Sequence, residues 1–154
     1  MAFGILAVLF VFPATILAAF NRTVGDPLIA QSDRWQAEAK KTHDEYDMQV
    51  AREVHDIVNQ ERVNRGKQPL AWDDGLAATA RTWSKFMYET DRFEHSTLFC
   101  HGENILMTSG GSLTAKEAVS SWMDSPGHRE NILRESFHSE GIGIYRGYAT
   151  QNFC

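Results

Sequence analysis

The chain has 154 residues, of which 43% are hydrophobic and 23% charged, so it can bury the core of one domain. Its formal net charge is −5, and its adjacent lysines, Lys40 and Lys41, do not belong to a basic run, which argues against a nucleic-acid-binding surface. Two cysteines are too few for a disulfide scaffold or for a four-cysteine zinc site.

The N-terminal residues 2–20 contain no charged side chain and only one polar one. As a helix they would span roughly 30 Å, which matches the hydrocarbon core of a bilayer. This composition predicts that residues 1–20 are a signal peptide or an uncleaved membrane anchor. No basic residue precedes the apolar run, and Leu17 is a poor −3 residue for cleavage after Ala19, which favours the anchor. Arg22 follows the run, and the positive-inside rule alone would hold the domain in the cytoplasm.

Residues 21–46 are polar and predict a spacer that becomes helical from about Ser32, ahead of a compact domain over residues 47–154. At the start of that domain apolar residues recur at helical spacing, which predicts an amphipathic helix over 47–64. Gly66 ends this helix because glycine suits the left-handed conformation that follows a helix. Its apolar face contains Val50, Val54, Ile57, Val58 and Val63.

Two further helices are marked by their first residues. Asp73 or Asp74 suits the N-cap of the second helix, and the Thr-Ala-Lys-Glu run at 114–117 forms a capping box that starts the third. The Ser-Pro-Gly run at 125–127 ends the third helix, and a short helical turn is predicted over 128–134. The second helix presents Leu76, Ala80, Trp83 and Met87 on one face.

Three segments near the C-terminal end are rich in strand-forming residues and predict strands at 103–108, 141–145 and 148–153. Arg146 and Gly147 separate the last two, and glycine in a two-residue connection indicates a β-hairpin. Helices grouped around a terminal hairpin predict an α+β fold in which helices cover a small antiparallel sheet.

Five segments resemble, in the correct order, motifs of the CAP superfamily, which groups cysteine-rich secretory, antigen 5 and pathogenesis-related class 1 proteins; the fourth is similar to the signature of prokaryotic SCP-like members. The resemblance implies an α-β-α sandwich displayed outside the cytoplasm, secreted or at the surface, against the argument from Arg22. The segments are residues 68–77 (QPLAWDDGLA), 95–96 with 102–104 (HS and GEN), 118–123 (AVSSWM), 125–133 (SPGHRENIL) and 148–153 (YATQNF).

The resemblance also implies a cleft, because family members usually hold two histidines and two glutamates there. The first histidine and the first glutamate match His95 and Glu103. The second glutamate falls on Ser120 and the second histidine on Tyr148, so half of the usual set is absent. His128, in the GHR turn that prokaryotic members carry, is expected to reach the same cleft.

A divalent metal is one occupant that this cleft would suit. His95, Glu103 and His128 would supply two nitrogens and one carboxylate, a set that fits zinc or another divalent cation with an open position. In the alternative interpretation, Glu103 accepts hydrogen bonds from His95 and from backbone N–H groups, and orders a loop without a metal. Ser120 and Tyr148 would then contribute hydrogen bonds only.

The resulting prediction is an extracytoplasmic binding or interaction module with a cell-envelope or extracellular partner. A lipid is one candidate, because some family members bind sterols or fatty acids. One alternative is a peptidase-like hydrolase using the same cleft, although Ser96 next to His95 is not a convincing nucleophile and no Gly-x-Ser-x-Gly run is present. The other alternative is an envelope structural protein without a ligand. No catalytic residue is assigned.

The two cysteines, Cys100 and Cys154, predict a disulfide if the domain lies outside the cytoplasm. The bridge would close a loop of roughly fifty residues, worth roughly 4 kcal/mol. The alternative is a reactive Cys100 thiolate beside His101. His43 and His55, on polar helix faces, are expected to be solvated.

Overall fold

The computed structural model of the chain describes residues 26–97, 102–110 and 112–154, with side chains from residue 29 onward. The predicted anchor or signal segment, residues 1–20, and Cys100 lie outside these described residues. No helix among the described residues is long and apolar enough to span a bilayer.

The described residues form four helices and four strands. The N-terminal helix is continuous and includes both the helical part of the predicted spacer and the predicted helix 47–64. Contacts divide the chain into a unit that ends at Lys41 and a unit of residues 42–154. The elements are α1 Asp26–Val63, β1 Ala71–Trp72, α2 Asp74–Thr90, β2 Gly102–Met107, α3 Ala115–Asp124, α4 Pro126–Leu133, β3 Ser139–Tyr145 and β4 Tyr148–Phe153.

The predicted helix starts are confirmed by their caps. The Asp73 side chain accepts a hydrogen bond from the Leu76 N–H of α2 at 2.9 Å. Thr114 and Glu117 form the complete capping box at the start of α3. Pro126 occupies the first turn of α4, which is a full eight-residue helix rather than a short turn.

The sheet has the strand order β1-β3-β4-β2. The β3–β4 and β4–β2 pairs are antiparallel, while the two-residue β1 pairs with β3 in parallel. The predicted hairpin is confirmed, since Arg146 and Gly147 both have positive φ, 48° and 86°, as a type I′ turn requires. The predicted α+β sandwich is therefore confirmed, with β1 as an additional parallel strand.

Helix α2 covers one face of the sheet at very short range. A Cβ atom added at Gly143 would lie 1.9 Å from the backbone nitrogen of Arg81, and one at Gly141 would lie 2.1 Å from that of Ala77. Only glycine permits this approach. Ser84 also attaches α2 to this face of the sheet, because its hydroxyl donates to the Gly143 carbonyl at 2.8 Å.

The other face carries the main hydrophobic core, to which α1, α3 and α4 contribute. Trp122 is completely buried there, and its indole N–H donates to the Ile105 carbonyl at 3.2 Å. Phe137 stacks on Phe153 with ring centroids 5.1 Å apart. The core includes Val50, Val54, Val58, Leu70, Val119, Trp122, Ile132, Ile142, Ile144 and Phe153.

Candidate ligand cleft

Glu103 and His95 are in direct contact at the edge of the sheet. Glu103 lies near the start of β2, and His95 lies in the irregular segment that follows α2. The Nδ1 atom of His95 is 2.6 Å from Oε1 of Glu103, and the Ser96 backbone N–H donates to the same oxygen at 3.0 Å. The Glu103 side chain is only 9% exposed, whereas that of His95 is 60% exposed. The structure thus holds an exposed imidazole on an almost buried carboxylate.

His128 lies in the first turn of α4, and its backbone carbonyl accepts a hydrogen bond from Asn104 Nδ2 at 3.2 Å. Partial burial lowers the pKa of the His128 imidazole below its ordinary value, and the nearby charge of His95 lowers it further. His128 therefore favours its neutral form, and its imidazole is near enough to His95 to be influenced by the charge of that residue.

Four buried side-chain atoms of the described residues have no hydrogen-bond partner: Ser96 Oγ, Glu103 Oε2, Asn152 Nδ2 and Asn152 Oδ1. One atom belongs to Glu103, and the other three belong to two residues that adjoin it. Ser96 binds its carboxylate through the backbone, and Asn152 is the residue directly opposite Glu103 in the β2–β4 pair. Opposed residues in an antiparallel pair project to the same face with Cβ atoms about 4.5–5.5 Å apart. We refer to His95, Ser96, Glu103 and Asn152 as the Glu103 cluster.

The structure does not bring Tyr148 to this cluster. Tyr148 pairs with Met107, four residues along the strand from the Glu103–Asn152 pair, which is roughly 13 Å. Its side chain packs with Met87 and Ile105 in a small apolar cluster. Tyr148 is therefore a packing residue at the other end of β4.

Ser120 is also placed away from the Glu103 cluster. It is exposed on α3, whose apolar side packs in the main core on the opposite face of the sheet from α2. It lines two open surface cavities of about 660 and 620 Å³, both shared with Lys116 and Asp124. Asn152, the strand partner of Glu103, is two residues from Thr150 and therefore projects to the same face of the sheet. The Thr150 hydroxyl contacts Ser84 of α2 at 2.9 Å, so Glu103 also faces α2.

Within the described ranges, no three His, Cys, Asp or Glu side chains lie close enough together to hold a metal ion. One oxygen of Glu103 is already occupied by His95 and the Ser96 N–H. As placed, His95, Glu103 and His128 thus do not form a three-ligand set, and the zinc or other divalent cation site stays a prediction. The Ser96 hydroxyl has no hydrogen-bond partner among the residues that the structure describes, His95 included, so the two do not form a nucleophile–base pair.

A buried polar network on the other face of the sheet was not predicted. Glu140 is completely buried, and its two oxygens contact His55 Nδ1 at 2.7 Å and Gln151 Nε2 at 2.6 Å. The expectation that His55 is solvated is wrong, because its side chain is 16% exposed and packs edge-on against Trp72. The reason is that its partner carboxylate comes from a strand 85 residues away.

The network continues to the backbone of the cleft. Asn104 Nδ2 donates to Gln151 Oε1 at 2.9 Å, and Asn131 Nδ2 donates to Asn104 Oδ1 at 3.0 Å. The same amide groups donate to the carbonyls of His128 and Glu103. The network thereby fixes the main chain at Glu103 and at His128. Its asparagines and glutamine lie in the GEN, SPGHRENIL and YATQNF segments. Their position in these family-like motifs is the signal in the sequence that could have pointed to the network.

Cys154 is exposed and forms no disulfide with a described residue. Because Cys100 lies outside the described residues, the predicted Cys100–Cys154 bridge and the alternative of a reactive Cys100 both stay predictions.

The family model described as "CAP: Cysteine-rich secretory protein family" matches residues 55–154, and the chain belongs to this family. The uncharacterized protein YkwD of Bacillus subtilis (strain 168) is 32% identical over 108 residues, which cover 60% of this chain and 41% of that protein. Pathogenesis-related protein 1B of Nicotiana tabacum is 31% identical over 111 residues, covering 72% of this chain and 66% of that protein.

A crystal structure of an extracellular protein containing a SCP domain from Bacillus anthracis str. Ames superimposes with a TM-score of 0.64 at 28% identity. The match covers 70% of this chain and 40% of that chain. The chain therefore spans about two fifths of the length of these two Bacillus proteins.

Proposed function

We propose that this CAP domain is an extracytoplasmic binding or interaction module whose ligand cleft is the Glu103 cluster with His128 beside it. One observation carries the proposal: the four buried polar atoms without a partner among the described residues all belong to this cluster. Native proteins pair nearly all buried polar groups, and each unpaired one costs about 1–3 kcal/mol. A ligand that supplies the missing partners recovers this free energy on binding.

The extracytoplasmic location is supported by the Bacillus anthracis protein of similar structure, which is described as extracellular. The apolar residues 1–20 supply either a removable signal or an anchor, so the proposal covers both a secreted and a membrane-attached domain.

The test is a thermal-shift screen of the full chain in mild detergent, against zinc chloride and a panel of small polar molecules. His95→Ala and Glu103→Gln are screened beside the wild type, with His138→Ala as the control because His138 is an exposed histidine outside the cluster. We expect at least one compound to raise the Tm of the wild type and of His138→Ala but of neither cleft variant.

If no compound distinguishes the cleft variants from the wild type, the proposal fails and the ligand-free structural role is preferred. A shift with zinc alone that disappears in His95→Ala and in a third variant, His128→Ala, would identify the ligand as the predicted metal.

A further inference from the structure

Asn152 is the least explained residue of the Glu103 cluster. It lies in β4 between Glu103 of β2 and Gly141 of β3, and it is completely buried. Its carboxamide carries two N–H donors and one acceptor oxygen, and neither Nδ2 nor Oδ1 has a partner in the part of the chain that the structure describes. On the Gly141 side there is no side chain, and the backbone of α2 closes over the glycine. The unmet hydrogen-bonding capacity of Asn152 therefore lies beside that of Glu103.

The unpartnered atoms define what a ligand has to offer. Asn152 Nδ2 needs an acceptor, whereas Asn152 Oδ1 and Glu103 Oε2 need donors. A carboxylate ligand offers no donor and would meet the charge of Glu103, and an ammonium group offers no acceptor. A secondary amide offers one carbonyl acceptor, which suits Asn152 Nδ2, and one N–H donor, which suits Glu103 Oε2.

We propose that Asn152 is the specificity-determining residue of the cleft and that the group it binds is a secondary amide, whose carbonyl accepts from Asn152 and whose N–H donates to Glu103. This inference rests on the proposed function of the Glu103 cluster. Peptides and N-acylated sugars both present a secondary amide, so the two sources are separated in the experiment.

Access to these atoms requires the segment of residues 92–97 to shift, because His95 and Ser96 cover Glu103. This segment forms neither helix nor strand. It is attached on one side by the Trp83 indole N–H, which donates to the Glu94 carbonyl at 3.0 Å, and on the other by the Ser96 N–H on Glu103. Since the His95 side chain is 60% exposed, this side chain loses little packing when the segment moves.

The experiment titrates the full chain with N-acetylglucosamine and with N-acetylalanine methylamide, and follows the side-chain amide signals of Asn152 by NMR. Glucosamine and methyl acetate are the matched probes that lack the amide. We expect one or both amide probes to shift the Asn152 signals and the matched probes to leave them unchanged; the probe that binds identifies a sugar or a peptide source.

The variant Asn152→Leu replaces the unpartnered amide with an apolar side chain of similar size. We expect it to bind the amide probe at least about tenfold more weakly while its Tm rises, because the buried unpaired atoms are removed. Asn64→Leu, at an exposed asparagine of the chain, is the control and should change neither quantity.

The inference is overturned if Asn152→Leu binds the amide probes as the wild type does, or if acylated and non-acylated probes bind equally. It is also overturned, with the proposed function intact, if another ligand depends on His95 and Glu103 but not on Asn152. If no ligand depends on any of the three residues, the proposed function fails as well.

Discussion

Single buried residues hold distant segments of this domain together, and Arg62 is the clearest case. Its guanidinium is completely enclosed and donates to three backbone carbonyls, from Gln68, Ile132 and Arg134, at 2.7, 2.6 and 3.0 Å. Burial lowers the pKa of Arg62, while the charges of Glu140 and Glu135 oppose this effect. The residue thus joins the end of α1 to the end of α4.

We expect Arg62→Met to lower the free energy of unfolding by about 2–4 kcal/mol, because three buried carbonyls lose their donors. Urea unfolding measures this loss. Arg129→Met is the control, since Arg129 is exposed and binds one carbonyl, and it should cost less than about 1 kcal/mol. Equal losses for both variants would show that Arg62 has no special role.

The raised pKa of Asp47 leads us to expect that the free energy of unfolding depends on pH. Burial raises its pKa above the ordinary 3.8, although the Arg146 N–H, at 3.2 Å, and the charge of Arg81 oppose the shift. The folded state therefore binds this proton more tightly than the unfolded state does. This contribution to stability is present at low pH and is lost as the pH rises from about 3.8 through the raised pKa.

Asp47→Asn keeps an oxygen for the Arg146 N–H but removes the titration. We expect its stability relative to the wild type to improve as the pH rises above about 3.8 and to level off above the raised pKa, measured by urea unfolding at several pH values. A difference between the two proteins that does not vary with pH would contradict this assignment.

At the scale of the elements, the donors and acceptors of the buried polar network are ordered in one direction, and the order is set where α1 meets the segment before β1. Leu70 orients Asn59 through both its backbone N–H and its carbonyl, so that the Asn59 amide N–H faces His55 Nε2. His55 then carries its proton on Nδ1 and donates it to Glu140. The amides of Gln151, Asn104 and Asn131 donate toward the same carboxylate from the other side.

Glu140→Gln tests this arrangement. A glutamine at this position turns one N–H₂ group toward a neighbouring donor, which leaves at least one buried pair unsatisfied. We expect a loss of about 1–3 kcal/mol in the free energy of unfolding. Glu130→Gln, at a glutamate on the exposed side of α4, is the control and should change little. Equal stability of Glu140→Gln and the wild type would refute the directed network.

The packing of α2 on β3 leads to a second prediction for an element. Gly143→Ala places a Cβ 1.9 Å from the Arg81 backbone nitrogen, so α2 has to move away from the sheet. We expect a loss of about 3 kcal/mol or more, as for other overpacked cores. Gly127→Ala in α4, where no atom lies within 4 Å of the added Cβ, should be neutral or slightly stabilising. Thermal unfolding of both variants compares them directly.

At the scale of the whole molecule, neighbouring residues in one motif serve the two faces of the sandwich. Glu103 projects toward α2 and the ligand cluster, whereas Asn104 projects to the opposite face and joins the polar network. Asn104 and Asn131 hold the backbone of Glu103 and His128 from that side. The cleft is therefore supported by the main-chain hydrogen bonds of the layer behind it.

Sequence periodicity and capping residues were sufficient to predict α2, α3 and the terminal hairpin, because those signals are local. The strand β1 was missed because two residues carry no periodicity. His55 was misassigned and Asn152 was overlooked, because their environments depend on residues far away in the sequence, Glu140 and Glu103. The family resemblance assigns Tyr148 and Ser120 to the cleft, whereas strand register and helix face separate them from it.

The most direct measurement of the central claim, that the Glu103 cluster exists to bind a ligand, is urea unfolding of Glu103→Gln. The variant keeps an oxygen for His95 and the Ser96 N–H, and it replaces the charged Oε2 with a neutral N–H₂ group beside the residue that carries the unpartnered Asn152 Oδ1. We predict that its free energy of unfolding equals or exceeds that of the wild type, because binding sites sacrifice stability for function. A loss of about 2 kcal/mol or more would show that the carboxylate serves the fold, and would contradict the account.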